Sequence, residues 1–182
     1  MIRFVPALFC VATFSAAILA SSAPAFAESR DVSPASFVIG LQQEVNAKPA
    51  DVFEDIAKVD KWWNKKHTWS GDANNLSMQL SPGGCFCERW DANFVEHGRV
   101  IGVRKDSMVR LESSLGPLQE LAVTGILTFT VLPKEGKTTL KISYRVNGGP
   151  QSGLDKWAAP VESVLTEQMH RLALYAEKGD PE

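Results

Sequence analysis

A chain of 182 residues, 45% hydrophobic and 22% charged, supplies one ordinary globular domain, because domains cluster at roughly 100–150 residues. Its 19 basic residues stand against 21 acidic ones, a net charge of -2, so no positive field gathers phosphates and no nucleic-acid partner is expected. The same composition excludes a disordered chain and a coiled coil.

The first 27 residues read as separate from the fold. Arg3 gives a positive start, an apolar stretch runs from Phe4 to Ala20 with Pro6 inside it, and Ala25-Phe26-Ala27 offers the small residues a signal peptidase needs. This pattern predicts a Sec-type signal peptide cleaved after Ala27, with Glu28 as the mature start and a periplasmic or secreted product. The rival reading, an uncleaved anchor, has an apolar run shorter than the ~20 residues that span a bilayer. No transmembrane segment is expected after cleavage. Phe9 is too bulky before Cys10 for a lipoprotein site. With Cys10 removed, only Cys85 and Cys87 remain. On a regular strand they would sit roughly 7 Å apart on one face, too far for an easy disulfide. The expectation is two small buried thiols. A strained bridge, or a metal site begun with His67 or His97, stays open as an alternative, although zinc usually takes two spaced ligand pairs and no metal is expected.

Glu28 to Ala35 is polar and predicts a flexible lead, leaving residues 36–178 as the domain. Phe37, Ile39, Leu41, Gln43 and Val45 alternate with their neighbours as a long first strand, odd residues inward. Pro49 opens a short amphipathic helix to about Lys58 on Val52, Phe53, Ile56 and Val59, and Asp60 is positioned to cap a second short turn bearing Trp62 and Trp63. A loop follows at His67-Thr68-Trp69-Ser70-Gly71-Asp72-Ala73. Strands then read near Leu76–Leu80, Cys85–Trp90, Val95–Arg104, Met108–Ser113, Ala122–Leu132 and Thr138–Asn147. Their joints carry turn chemistry (Ser81-Pro82-Gly83-Gly84, Asp91-Ala92-Asn93, Leu115-Gly116-Pro117, Lys134-Glu135-Gly136), which predicts an antiparallel meander. The chain ends in an amphipathic helix whose stripe includes Leu154, Trp157, Val161, Val164, Leu165, Gln168, Met169 and Leu172. Pro160 either kinks it or marks its true start.

This α+β order is a helix-grip layout, a curved antiparallel sheet of about seven strands wrapped on a long C-terminal helix, with two short helices after the first strand. Together with Trp62-Trp63, the His67–Ala73 loop, Gly83-Gly84, Glu88, His97-Gly98, Leu115-Gly116-Pro117-Leu118-Gln119, Gln168 and Arg171-Leu172, it resembles the START-like superfamily. Within that superfamily it is similar to the SRPBCC group of polyketide cyclase/dehydrase-like proteins and homologues of the heat-shock chaperone ATPase activator. The resemblance spans about Ser36 to Glu177. It implies a cavity between sheet and long helix that takes apolar or amphipathic small molecules, and no single reaction. An exported chain would meet neither a cytosolic chaperone nor ATP, so that role is not expected.

Strand parity places Phe86, Glu88 and Trp90 on one face and Val95, His97, Arg99, Ile101 and Val103 on the matching face of the next strand. Pointing both sets inward predicts a register of Trp90 with Val95, Glu88 with His97 and Phe86 with Arg99, and a turn from Asp91 to Phe94. The resulting carboxylate–imidazole–guanidinium cluster has three readings: ligand orientation, a satisfied ion pair without chemistry, or catalysis with Glu88 and His97 as acid and base and Arg99 on an oxyanion. Trp63, His67 and Trp69 read either as a cavity lid or as a plug at the sheet's end. Asp72 accepts from His67 or caps the turn. Gln119 can reach the cavity mouth, and Tyr144 either faces a ligand or bonds backbone. Trp157 completes the candidate ligand-binding set of Trp63, His67, Trp69, Phe86, Glu88, Trp90, His97, Arg99, Gln119, Tyr144 and Trp157. His170 falls off the stripe and reads as surface. No Gly-x-Ser-x-Gly, Gly-x-Gly-x-x-Gly, Walker loop or His-Glu-x-x-His occurs, so no cofactor is expected. The leading expectation is an exported protein that binds a hydrophobic or aromatic small molecule. The alternatives are a cofactor-free cyclase, lyase or hydrolase, and an envelope protein-interaction module.

Overall fold

The computed structural model describes residues 26–182. Residues 1–25, which carry most of the expected export signal, lie outside the described residues. Eight strands form one antiparallel sheet: β1 (Phe26–Ser33), β2 (Ser36–Val45), β3 (Leu76–Met78), β4 (Cys85–Trp90), β5 (Asn93–Arg104), β6 (Met108–Glu112), β7 (Thr124–Lys134) and β8 (Lys137–Asn147). Their order is β1-β2-β8-β7-β6-β5-β4-β3. The meander therefore returns its last strand to the second, and among the described residues β1 and β3 are the edges. Two short helices, α1 (Pro49–Ile56) and α2 (Val59–Trp62), follow β2, and the long helix α3 (Ala158–Lys178) closes the chain. Among the described residues, no helix is long and apolar enough to cross a membrane.

The α+β helix-grip architecture read from the sequence is the one observed, with one strand more than the expected seven. The extra strand is β1, where a flexible lead was expected. Its residues show no apolar alternation, because β1 holds its place by pairing backbone groups with the open edge of β2 (Ala27 with Leu41, Ser29 with Ile39) rather than by burial. Ser29 Oγ donates to Glu162 on α3 as well. Expected element bounds shift by a few residues elsewhere. Asp60 lies inside the first turn of α2 rather than capping it, and its side chain takes no cap hydrogen bond. Pro160 sits in the first turn of α3, after a short 3-10 turn at Leu154–Lys156, so the helix starts there and does not kink.

The solid core lies between α1, α3 and the β2–β8–β7 part of the sheet. Phe37, Ile39, Val45, Leu127, Val131, Leu140, Tyr144 and Val146 are fully buried there with Trp62, Met169 and Leu172. Odd residues of β2 point inward as the alternation predicts. At about 25 cal/mol per Å² of apolar area removed from water, such a cluster dominates the stability of the fold.

Candidate functional site

The hairpin of β4 and β5 departs from the expected register. Trp90 pairs with Asn93, Arg89 with Phe94, Glu88 with Val95 and Cys87 with Glu96, then a bulge leaves His97 as an extra residue before Phe86 meets Gly98 and Cys85 meets Arg99. The turn is thus only Asp91-Ala92, with Asp91 at a positive φ of 49°. One extra residue reverses the facing of everything beyond it. Inward positions after the bulge are Gly98 and Val100, whereas Arg99, Ile101 and Val103 point outward, Ile101 being 50% exposed. Gly98 is what lets this happen: a Cβ there would stand 2.9 Å from Glu112 O and from Ser113 Cβ.

The bulge brings His97 back beside Glu88. His97 Nε2 lies 3.0 Å from Glu88 Oε2, with Glu88 fully buried and His97 5% exposed. Glu88 accepts two further hydrogen bonds, from Trp69 N–H to Oε2 at 3.0 Å and from Ser70 N–H to Oε1 at 2.5 Å. Burial pushes this carboxyl up, but the donors from Ser70, Trp69 and His97 together outweigh burial and hold it below the usual carboxylate range. Burial lowers the His97 imidazole, and the attraction of Glu88 offsets this only in part. At neutral pH the pair is therefore carboxylate and neutral imidazole, with Nε2–H donating to Glu88 and Nδ1 left as an acceptor. Arg99 is not in this cluster. It is clamped outside on Glu96 at 2.7 and 2.8 Å.

Beside His97, a cavity of about 400 Å³ opens between the sheet end, the loop after α2 and α3. Trp63, His67, Trp69, His97 and Trp157 line it, together with Leu115–Leu118 and Pro160, Val161, Val164 and Leu165 of α3. Trp63 is nearly buried and makes the inner wall, while Trp69 is 48% exposed at the rim. The loop wall is anchored to α3: Gln168 Oε1 accepts from Asn64 N–H at 2.8 Å, Glu167 Oε2 lies 2.9 Å from His67 Nε2, and Arg171 Nε donates to Trp62 O at 2.8 Å. Burial raises the Glu167 carboxyl, yet Asn64, His67 and Arg171 bring it below its usual value. Asp72 caps the Asn74 turn at 3.0 Å and does not meet His67.

Six expected lining residues stand elsewhere. Phe86 is core, its ring centroid 5.0 Å from that of His97 and 5.5 Å from that of Trp63, so it backs the wall without reaching the space. Trp90, at the hairpin's end, lies away from the cavity. Arg99 faces solvent for the reason given. Gln119 turns its Nε2 onto Glu96 O at 2.8 Å, beside a shallower polar hollow of about 250 Å³. Tyr144 Oη donates to Ser113 O at 3.0 Å and accepts from Leu115 N–H at 3.2 Å, and burial raises its pKa well above the ordinary phenol. Glu88 supports the wall from behind. Sequence reasoning missed Glu167 and Asn64, whose types carry no signal until α3 is laid beside the loop. Val161 and Val164 were legible as stripe residues, with no hint that part of that stripe faces empty space.

Cys85 and Cys87 form a disulfide, contrary to the expectation of two thiols. Their Cα atoms are 5.3 Å apart, inside the range a disulfide spans and short of the ideal strand repeat. Glu96 adds a carboxylate within 4.8 Å of both sulfurs. Among the described residues those three have a spacing that would suit a metal, but sulfurs bonded to each other are not thiolate ligands. His67 and His97 are not part of that group.

No family model matches the chain, and no curated protein matches it. Solved structures do share its fold. The Aha1 dimer from Colwellia psychrerythraea is 15% identical with a TM-score of 0.59, over 78% of this chain and 97% of that one. CalU16 from Micromonospora echinospora is 12% identical with a TM-score of 0.56, over 81% of this chain and 78% of the other. The di-domain ARO/CYC StfQ from the steffimycin biosynthetic pathway is 13% identical at a TM-score of 0.56; 80% of this chain matches 52% of that one, so the chain spans about half its length. These likenesses establish a shared helix-grip fold, and a fold of this kind does not by itself fix an activity.

Proposed function

We propose that the protein is an exported carrier or sequestering protein that holds one hydrophobic or aromatic small molecule between sheet and α3. The observation that carries this reading is the cavity of about 400 Å³ walled by Trp63, Trp69, Trp157 and the apolar flank of α3. That volume falls in the range of small-molecule sites, and indole faces suit flat ligands. His97, held by Glu88, is a buried polar group in that lining. Export rests on the N-terminal sequence pattern alone.

Native mass spectrometry of protein recovered from its own cell envelope tests the reading. The expected result is a released organic molecule at one per chain. Recovery of ligand-free protein that also fails to take up N-phenyl-1-naphthylamine, an uncharged aromatic probe, would contradict it. The Glu88–His97 pair also favours a second reading, a cofactor-free cyclase, lyase or hydrolase in which neutral His97 acts as base. The two separate on Glu88→Gln: a carrier keeps its ligand with modest change in affinity, whereas an enzyme keeps its ligand and loses turnover.

A further inference from the structure

We propose that Cys85–Cys87 is a redox-active site that exchanges two electrons with dithiol proteins or thiol buffers, independent of the small-molecule cavity. As a staple the bond does little. A disulfide stabilises mainly by restricting the unfolded chain, more so for longer loops, and this one joins residues only two apart. Strand β4 is already held on both sides by β3 and β5. The bond is also asymmetric in access: Cys85 is half-buried while Cys87 is fully buried. An incoming thiolate therefore has one sulfur to attack and the other as leaving group.

The surroundings of Cys85 match this chemistry. Arg99 stands opposite it in the ladder with its guanidinium held by Glu96 at 2.7 and 2.8 Å, so an exposed ion pair borders the accessible sulfur. Glu96 Oε2 lies 4.0 Å from Cys85 Sγ, on the solvent side of the bond. Exchange proceeds in two displacements. A partner thiolate attacks Cys85 Sγ, the Cys85–Cys87 bond breaks, and Cys87 leaves as a thiolate that takes up a proton. The partner's second thiolate then attacks its own sulfur in the mixed disulfide and releases the Cys85 thiolate, which is protonated in turn. The net result is a partner dithiol oxidised to its disulfide and two thiols on β4.

Differential alkylation of the full chain in glutathione redox buffers tests this, read by mass spectrometry on the peptide that contains both cysteines so that Cys10 does not enter. The expected result is that folded protein, monitored by near-ultraviolet circular dichroism, passes reversibly from zero to two alkylated thiols within the range of glutathione ratios. A pair that stays oxidised in millimolar reduced glutathione until the protein is unfolded would overturn the proposal. So would a pair that stays reduced under excess oxidised glutathione. For the direction of attack, Cys87→Ser should acquire one glutathionyl group on Cys85 at least about tenfold faster than Cys85→Ser acquires one on Cys87. Equal rates in two folded variants would contradict the assignment of Cys85. None of these readouts involves the cavity ligand, so failure here leaves the carrier reading untouched.

Discussion

The two halves of the sheet are built differently. Strands β7 and β8 pair from Thr124 with Asn147 to Lys134 with Lys137 without a shift, and their inward residues are solid core. Strand β5 breaks register twice, once against β4 and once against β6. The irregular half carries the buried Glu88–His97 pair, the disulfide and one wall of the cavity. Bulges re-aim side chains that strict alternation would bury or expose wholesale, so the price of a site in this fold is a locally imperfect ladder.

The largest expected effect breaks the regular half. Phe129→Ala, at a side chain 1% exposed and stacked edgewise on Trp62 at 6.5 Å between centroids, should cost about 3–5 kcal/mol in urea unfolding. Folded variant protein should still bind N-phenyl-1-naphthylamine. Equal loss of both properties would mean that the halves are not separable.

The irregular half should respond with smaller, more local losses. Glu88→Gln presents one carbonyl oxygen to donors from Trp69, Ser70 and His97, leaving at least one buried group unpaired at a cost of about 1–3 kcal/mol. Amide exchange of Trp69 and Ser70 should rise well beyond that of β7 and β8. Gly98→Ala should fall in a similar range, about 1–3 kcal/mol, because the new Cβ crowds Ser113 and Glu112 O. Its signature is a changed bulge, seen as a shifted His97 imidazole resonance; an unshifted one would contradict the role given to Gly98.

The regular half was the legible half. In β2, Phe37 through Val45 alternate, and burial follows odd and even as written. The α3 stripe was readable for the same reason: period and parity survive when nothing is inserted, whereas Glu88 meets His97 through a bulge and not through the unbroken register that parity predicts. Parity failed at His97, where an extra residue exposes Arg99, Ile101 and Val103. His97-Gly98 held the only sequence signal of that bulge, since a glycine inside a strand marks a close backbone approach. The edge strand β1 gave no signal because it is held by backbone hydrogen bonds, to which side-chain patterns are blind. The loop–helix anchors Asn64, His67 and Glu167 depend on a fold-wide juxtaposition that no local pattern encodes.

Acid should sharpen the contrast. His97 titrates lower in the fold than unfolded, so as pH falls below about 6.5 the unfolded chain binds the proton first and stability declines toward the folded value. Glu88 is also lowered, so its contribution is full above the unfolded carboxylate range, about 4.3, and is lost as pH falls through its folded value. Both contributions have the same sign. The melting temperature should be highest near or above pH 7, and His97→Asn should flatten the upper part of the acid decline. The smallest effect belongs to Glu167→Ala: its pair with partly exposed His67 should cost less than about 1 kcal/mol, while loosening the rim enough to quicken ligand release in stopped-flow fluorescence.

The hollow itself is tested most directly by filling it. Val164 lines the cavity from α3, so Val164→Trp should place an indole in that space. Titration with N-phenyl-1-naphthylamine, followed by tryptophan quenching, should saturate at one probe per chain in the parent protein, and its affinity should fall at least about tenfold in the folded variant. Unchanged affinity in Val164→Trp would show that the probe binds elsewhere and would contradict the account.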